Sequence, residues 1–174
     1  MREVDETVER RRERTVRWQD PMALAAEIKG RSGREVLEAL LRGELPPPPF
    51  TDLLSIQVTG VGDGEVEFTC TPDESMYNPI GAVHGGVVCT LLDSVIGCAV
   101  HTTLEAGLIY TSIDLQVSYL RAVTTSSAPL VATGRVTKPG RRVAFATGEV
   151  RDRRGSLVAS GSGSCLVMPI AESP

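Results

Sequence analysis

The segment from about Val83 or His84 to Leu104 predicts a helix with almost no polar face. Its apolar residues fall on nearly every side of the helix: Val87, Val88, Leu91, Leu92, Val95, Ile96, Ala99 and Val100. A helix that is apolar nearly all round has to be covered by other elements on most of its sides. The rest of the chain must therefore supply a surface that wraps around this one helix.

The flanking segments predict that this surface is an antiparallel sheet. Before the helix, residues 55–59 and 65–71 form a hairpin pattern around a glycine-rich turn at 60–64. After it come four strand patterns, over 109–121, 128–138, 142–152 and 156–168. Alternate residues of the first pattern share one face: Ile113, Leu115, Val117 and Tyr119. We predict a hairpin, a helix and an antiparallel meander, hence an α+β fold in which a curved antiparallel sheet wraps around one long central helix.

Two further helices are predicted near the start of the chain. Pro21 suits the first turn of a helix that runs to about Lys29. Ser32 then has Glu35 at capping-box spacing, which marks the start of a second helix. The apolar face of this second helix is predicted to consist of Val36, Leu37, Leu40 and Leu41.

These patterns divide the chain into three parts. Residues 1–45 form an N-terminal helical arm, residues 46–49 a stiff proline linker, and residues 50–174 the main domain. The first 19 residues are dominated by charge, which is typical of a solvated helix. Trp18 is the only tryptophan, and we expect it to hold the arm against the main domain.

Composition excludes several classes of partner. The net charge of -4 and the pI near 5.3 argue against a nucleic-acid binder. No apolar run reaches the roughly 18 residues of a membrane span, and the charged start lacks the apolar core of a secretory signal. Four cysteines without a CxxC pair, and only two histidines, argue against a metal site. We expect a cytoplasmic protein with reduced thiols.

The start of the central helix gathers polar groups that suit a carbonyl oxygen. Backbone N–H groups in a helix's first turn lack intrahelical partners and attract negative charge. Glycine at 85 and 86 would let a substrate carbonyl approach them. His84 could donate to the same oxygen, and the Asn78 amide could hold that oxygen or a water. Each has a structural alternative: tight helix entry for the glycines, a loop residue for His84, and a turn before Pro79 for Asn78.

Asp93 is the most unusual polar residue of the central helix. It lies among Leu91, Leu92, Val95 and Ile96, although aspartate is a poor helix former and an unpaired buried carboxylate is costly. The structural alternative is a hydrogen bond to a neighbouring strand or subunit. Asp114, by contrast, is expected to be an exposed or edge-strand residue.

Helix geometry separates Asp93 from His84. Nine residues at about 100° and 1.5 Å each place the two on opposite faces, roughly 13–14 Å apart along the axis. One chain therefore cannot direct both at one carbonyl. If both act in one site, Asp93 must come from a second copy, and a two-fold dimer would create two equivalent sites.

These residues resemble the hotdog-fold thioesterases, in the PaaI-like branch of acyl-CoA thioesterases. The resemblance covers roughly residues 50–168. It rests on Asn78-x-x-Gly81-x-x-His84-Gly85-Gly86, on Asp93 in Leu91-Leu92-Asp93-Ser94, and on Tyr110 to Leu115. It continues through Ser118-Tyr119-Leu120-Arg121, the Gly140-Arg141-Arg142 turn and Asp152-x-x-Gly155-x-Leu157-Val158-Ala159. No Gly-x-Ser-x-Gly motif is present, which disfavours an α/β-hydrolase.

The resemblance implies a role for each motif residue. Asp93 would be the general base that activates water, or the nucleophile that attacks the thioester. The N–H of Gly85 would hold the thioester oxygen, and His84 and Asn78 would position that oxygen or the water. On the next strand a hydroxyl would assist, and Ser112 fits that position better than Thr111.

The resemblance also implies the binding groups and the assembly. Gly86 and Thr111 are candidate substrate contacts, and Arg141 and Arg142 are candidates for the phosphates of coenzyme A, since guanidinium pairs well with phosphate. Coenzyme A would be part of the substrate, not a bound cofactor. The protein would be a homodimer or homotetramer with its active sites at the subunit interface.

Two rival functions share the predicted fold. One is another hotdog reaction, the hydration or dehydration of an acyl-CoA. The other is a non-catalytic module that binds acyl-CoA or regulates another protein, because a fold does not determine a function. The presence of Asp93 together with Asn78 and His84 favours hydrolysis, since a binding module needs the pocket but not the carboxylate.

Overall fold

A computed structural model describes residues 12–170 of the chain. Its α-helices are α1 (Pro21–Glu27), α2 (Gly33–Leu41), α3 (Pro49–Leu54) and α4 (Gly85–His101). The strands are β1 (Ile56–Val61), β2 (Glu65–Cys70), β3 (Leu108–Tyr119), β4 (Leu130–Lys138), β5 (Val143–Arg151) and β6 (Leu157–Pro169). The predicted hairpin, central helix and four later strands are confirmed, although α4 ends three residues earlier than expected.

The six strands form one antiparallel sheet in the order β1-β2-β4-β5-β6-β3. The predicted meander is therefore correct for β4, β5 and β6 but wrong for β3, which pairs along its length with β6. The chain crosses from β3, at one edge, to β4 in the middle of the sheet. As a result β3 has a strand neighbour on one side only, and its other edge is open within the described residues.

Helix α4 lies in the concavity of the sheet, as the hotdog resemblance implies. The side chains of Leu91, Leu92, Val95 and Ile96 are fully or almost fully buried. The helix backbone approaches the sheet closely at Gly134, where an added Cβ would fall on the carbonyl oxygen of Val95. The absence of a side chain at Gly134, in the middle of the sheet, thus allows α4 to pack this close.

Strand β3 departs from the predicted alternation. A bulge lies between Ser112 and Asp114, so the residues that face α4 change from even to odd numbers along the strand. Leu115 and Val117 pack against the core, whereas Ile113 is 56% exposed. The prediction that Ile113 shares their face is wrong, because the extra residue of the bulge shifts the pleat.

The arm packs directly on the main domain through α2. The predicted capping box is confirmed, since the Ser32 hydroxyl accepts from the Glu35 N–H and the Glu35 carboxylate accepts from the Ser32 N–H. Val36, Leu37 and Ala39 are buried, but Leu41 is exposed and does not belong to the apolar face. The proline linker is one residue shorter than predicted, because Pro49 begins α3.

The segment before α1 is attached by an arginine, not by the tryptophan. The prediction of a charged helix over residues 1–19 is wrong for residues 12–19, which are not helical, and residues 1–11 lie outside the described part. Trp18 is 63% exposed, so the expectation that it holds the arm is wrong. Arg14 donates to the Ser55 hydroxyl at 2.9 Å and to the Asp52 carbonyl at 3.2 Å, and it pairs with Asp73 at 3.3 Å.

Between residues 12 and 170, no helix combines the length and the apolar content that crossing a bilayer would require.

Candidate active site

His84 closes the start of α4 with its own side chain. Its Nδ1 accepts a hydrogen bond from the Gly86 N–H at 2.9 Å, so the ring is the N-cap of the helix. A neutral imidazole that accepts at Nδ1 carries its proton on Nε2. Since His84 is exposed, this Nε2–H is a donor that a ligand outside the chain can reach. The Gly86 N–H, in contrast, is already occupied by His84.

The N–H of Gly85 is left without an acceptor among residues 12–170. Tyr119, at the end of β3, donates its hydroxyl to the Gly85 carbonyl at 3.1 Å. A Cβ at position 85 would lie 3.2 Å from the Tyr119 ring, so glycine permits this contact. The Tyr119 ring therefore fixes the first turn of α4 while the Gly85 N–H remains available.

Asn78 organises the loop that leads into α4. Its side-chain oxygen accepts from the Ile80 N–H at 3.1 Å and the Ala82 N–H at 3.2 Å. Its backbone N–H donates to the Ala82 carbonyl at 2.7 Å. The oxygen is thus committed to the loop, and the side-chain NH2 group is the part of the amide that can meet a ligand.

Asp93 meets Ser112 across the gap between α4 and β3. The Ser112 hydroxyl donates to the Asp93 carboxylate at 2.7 Å, and Asp93 is half-buried. Ser112 and Tyr110 share the side of β3 that faces α4, whereas Thr111 lies on the other side and is exposed. The structure therefore brings Asp93 and Ser112 together and leaves Thr111 away from them.

The carboxylate of Asp93 borders an apolar cavity of about 460 Å³. The donors at the start of α4 border a different cavity, of about 320 Å³, which is lined by Asn78, Gly85 and Tyr119 among others. Helix α4 begins at Gly85, so the nine residues from His84 to Asp93 make about two and a half turns and place the two on opposite faces, as predicted. Within one chain, the two halves of the predicted site are apart.

Neutral polar groups form the end of the larger cavity that is remote from Asp93. The Cys98 thiol lies 3.7 Å from the Tyr110 hydroxyl, and the rings of His101 and Tyr110 are 5.5 Å apart. Burial raises the pKa of Cys98 to about 11 and the pKa of Tyr110 well above its usual range. Burial lowers the pKa of His101. All three side chains are therefore uncharged near neutral pH.

Arg141 and Arg142 lie in the exposed turn between β4 and β5. The Arg142 carbonyl accepts from the Val167 N–H at 2.8 Å, and Val167 is the register partner of Tyr110. Strands are about 4.8 Å apart, so this turn is roughly 10 Å from β3 at the level of Tyr110. The backbone of the turn is thus near the end of β3 that carries Tyr110 and Ser112.

Sequence reasoning missed three features of this region. Tyr119 had been placed on the core face of a strand, with no sign that its hydroxyl would reach Gly85. His101 and Tyr110 were given no role. For His101 a signal existed, because its spacing from Asp93 places these two residues on neighbouring faces of α4. The cavity wall supplied by α1 and α2 could not be predicted, because no local sequence pattern indicates on which surface of the main domain the arm packs.

Comparisons with known proteins identify the family of the chain. The family model described as the Thioesterase superfamily matches residues 80–159. Acyl-coenzyme A thioesterase 13 of Mus musculus is 29% identical over 131 residues, which cover 74% of this chain and 89% of that protein.

Solved structures extend the likeness to the fold. A phenylacetic acid degradation-related protein from Ralstonia eutropha JMP134 is 30% identical, with a TM-score of 0.68, over 75% of this chain and 98% of that chain. The E. coli PaaI protein, from the phenylacetic acid degradation operon, shares the fold at 21% identity and a TM-score of 0.68, over 82% of this chain and 97% of that one. The fold is the hotdog fold, and the chain belongs to the thioesterase superfamily.

Proposed function

We propose that the protein is an acyl-CoA thioesterase, which hydrolyses an acyl- or aryl-CoA to the free acid and coenzyme A. The observation that carries the proposal is that the Asp93 carboxylate borders an apolar cavity, because the bond from Ser112 alone would also suit a structural aspartate. A carboxylate held by a hydroxyl at the wall of such a cavity is suited to act on a bond whose acyl side is apolar. Membership of the thioesterase superfamily supports the same reaction.

Each residue has a proposed part in hydrolysis. The carboxylate of Asp93 removes a proton from the attacking water, or attacks the thioester carbonyl itself, and Ser112 keeps that carboxylate in place. The Gly85 N–H and the Nε2–H of His84 stabilise the negative charge that develops on the thioester oxygen. The NH2 group of Asn78 positions the oxygen or the water. In the general-base route Asp93 passes the proton taken from water to the leaving sulfur, so coenzyme A leaves as the thiol and the acyl group as the acid. In the nucleophilic route the attack forms a mixed anhydride between the acyl group and Asp93 and expels coenzyme A, and water then hydrolyses the anhydride to the acid and free Asp93.

We propose that two copies of the chain build each site, because the donors and Asp93 are apart within one copy. Strand β3 has an open edge of 12 residues, with Ile113, Tyr119 and Leu120 more than half exposed. Pairing of two such edges about a two-fold axis would join the sheets and cover these side chains. A homodimer is the smallest assembly that meets this need, and pairs of dimers would make a homotetramer.

Arg141 and Arg142 are proposed to bind the phosphates of coenzyme A. Both are exposed and near the site end of β3, and guanidinium groups suit phosphate. Replacing both by alanine should raise KM for a CoA ester about tenfold. The same change should leave KM unaltered for a short thioester of N-acetylcysteamine, which lacks the phosphates. An equal rise in KM for both substrates would contradict this assignment.

The predicted cytoplasmic location stays a prediction.

The test of the proposed function is the release of free coenzyme A by Asp93→Asn. We expect kcat to fall at least about 100-fold, because a positioned carboxylate base contributes about 10²–10⁴-fold. Asp114→Asn is the matched control, since Asp114 also accepts from a serine hydroxyl, that of Ser164, but does not line the cavity. This control should retain most of the activity.

The same experiment separates the enzyme from a binding module. Wild-type protein that binds acyl-CoA but releases no coenzyme A from any acyl-CoA would make Asp93 a structural residue of a sensor. Equal losses of kcat in Asp93→Asn and Asp114→Asn, with both variants folded, would contradict the proposal, because the effect would not be specific to Asp93.

A further inference from the structure

The cavity beside Asp93 has one wall that belongs to the N-terminal arm. Helix α1 contributes Leu24, Ile28 follows its last turn, and α2 contributes Val36, Leu37 and Leu40. These five side chains are aliphatic, and they face the side of α4 that carries Asp93. Apolar walls of this kind favour an apolar ligand over water.

The opposite wall is one stripe of α4. Ser94, Cys98 and His101 are spaced by four and three residues, so they lie on one face, with Asp93 at its edge. From Asp93 to His101 the stripe extends about 12 Å along the helix axis. A neutral histidine and a neutral tyrosine close it at the end remote from the carboxylate. The cavity is therefore an uncharged channel that begins at Asp93.

The arm is seated firmly enough to form a wall. The Gly33 N–H donates to the Leu104 carbonyl at 3.0 Å, and an added Cβ at Gly33 would fall on the backbone carbonyl and ring of His101. Leu24 and Ile28 are four residues apart, half-buried, and packed on a cluster of Val36, Ala39 and Leu45. Met22 on the same helix is 71% exposed. Helix α1 thus has a cavity side and a solvent side.

We propose that the acyl group of the substrate occupies this cavity, and that Leu24 and Ile28 of the arm determine which acyl groups are accepted. The inference rests on the proposed thioesterase function and assigns the arm a part in its specificity. An acyl group of medium length follows α4 from Asp93 towards His101, and α1 covers it. Acetyl groups leave the cavity largely empty, while palmitoyl groups exceed its length.

The test compares two opposite changes at one position. Leu24→Trp fills the cavity and should lower kcat/KM for octanoyl-CoA at least about tenfold relative to acetyl-CoA, because several methylene groups lose their apolar contacts. Leu24→Ala enlarges the cavity and should move the preferred acyl chain to greater length. Met22→Trp, on the solvent side of α1, should keep the wild-type chain-length profile. Thermal unfolding of each variant shows that α1 and the core remain folded.

Binding measurements keep this inference separate from the reaction. In the Asp93→Asn background, octanoyl-CoA should bind more tightly than acetyl-CoA by calorimetry, and Leu24→Trp should abolish that difference. If the wild-type protein hydrolyses nothing, the proposed function fails, while a length-dependent affinity that Leu24→Trp removes still supports the cavity assignment. An unchanged chain-length profile in both Leu24 variants, or the same shift in Met22→Trp, would overturn it, as would affinities independent of chain length.

Discussion

The two ends of the candidate site are built in different ways. At the start of α4 the side chains of His84 and Asn78 bond within a few residues, to the N–H groups of Gly86 and Ala82, and one further bond comes from Tyr119 on β3. Around Asp93 the partners come from distant parts of the chain: Ser112 from β3, and the cavity wall from α1 and α2. The donor end is therefore mostly local, whereas the carboxylate end is assembled from distant elements.

This difference indicates how the two ends depend on the rest of the molecule. The donor end requires the loop and the first turn of α4, together with Tyr119 at the end of β3. The carboxylate end requires the complete fold of its own chain, including the arm. In the proposed dimer, each site would therefore join the donor end of one chain to the cavity beside Asp93 of the other.

The largest expected effect is recovery of activity in mixed dimers. Dimers that contain one Asp93→Asn chain and one His84→Ala chain can be isolated by two different affinity tags. If the two ends come from different chains, one of the two sites per dimer is intact, and activity should return to about half that of wild type. Each variant paired with itself is the control. Activity no higher than that of the two controls would mean that both residues act within one chain.

A smaller effect separates the two roles of His84. His84→Ala removes the N-cap and the Nε2–H donor, so kcat should fall about 100-fold. It should also lower the stability by about 1 kcal/mol, or roughly 2–4 °C in Tm. His84→Asn keeps a good N-cap acceptor, but its shorter side chain places no donor where the Nε2–H of His84 lies. It should restore Tm without restoring kcat, and recovery of both would reduce His84 to a helix cap.

The smallest effect concerns the hydroxyl that holds Asp93. Ser112→Ala should lower kcat about tenfold, since a hydrogen bond to a charged group contributes about 1.5–3 kcal/mol. Thr111→Ala removes a neighbouring hydroxyl from the other side of β3 and should change kcat less than about twofold. Steady-state kinetics of both variants with one acyl-CoA makes the comparison. A larger loss of kcat for Thr111→Ala than for Ser112→Ala would mean that the side of β3 that carries Thr111, and not the side that carries Ser112, faces the site.

The sequence was sufficient for most of the fold because most of its signals are local. The apolar α4, the capping box at Ser32 and the turn-bounded strands each follow from a short pattern. The pairing of β3 with β6 does not, because any strand pattern is compatible with several neighbours in an antiparallel sheet. The bulge at Ile113 is one residue in a regular alternation, and the pattern continues past it without a break.

For the candidate site as well, the local features could be predicted from the sequence and the long-range contacts could not. The motif around His84 identified the donor end, and an aspartate in an apolar helix marked Asp93. The bond from Ser112 depended on the register of β3 against α4, and the motif resemblance supplied that position. The acyl-side wall was missed entirely, because Leu24 and Ile28 resemble any pair of aliphatic residues in a short helix.

The contact between Gly134 and the backbone of Val95 has a consequence for the rest of the molecule. Because the helix rests on bare backbone there, its depth and its rotation are defined by a residue on the middle of the sheet. A methyl group at position 134 would displace α4 and carry Asp93 away from Ser112 without touching either. The alignment of Asp93 with Ser112 is therefore controlled by a residue of the sheet that contacts neither of them, and a substitution there should affect the proposed reaction.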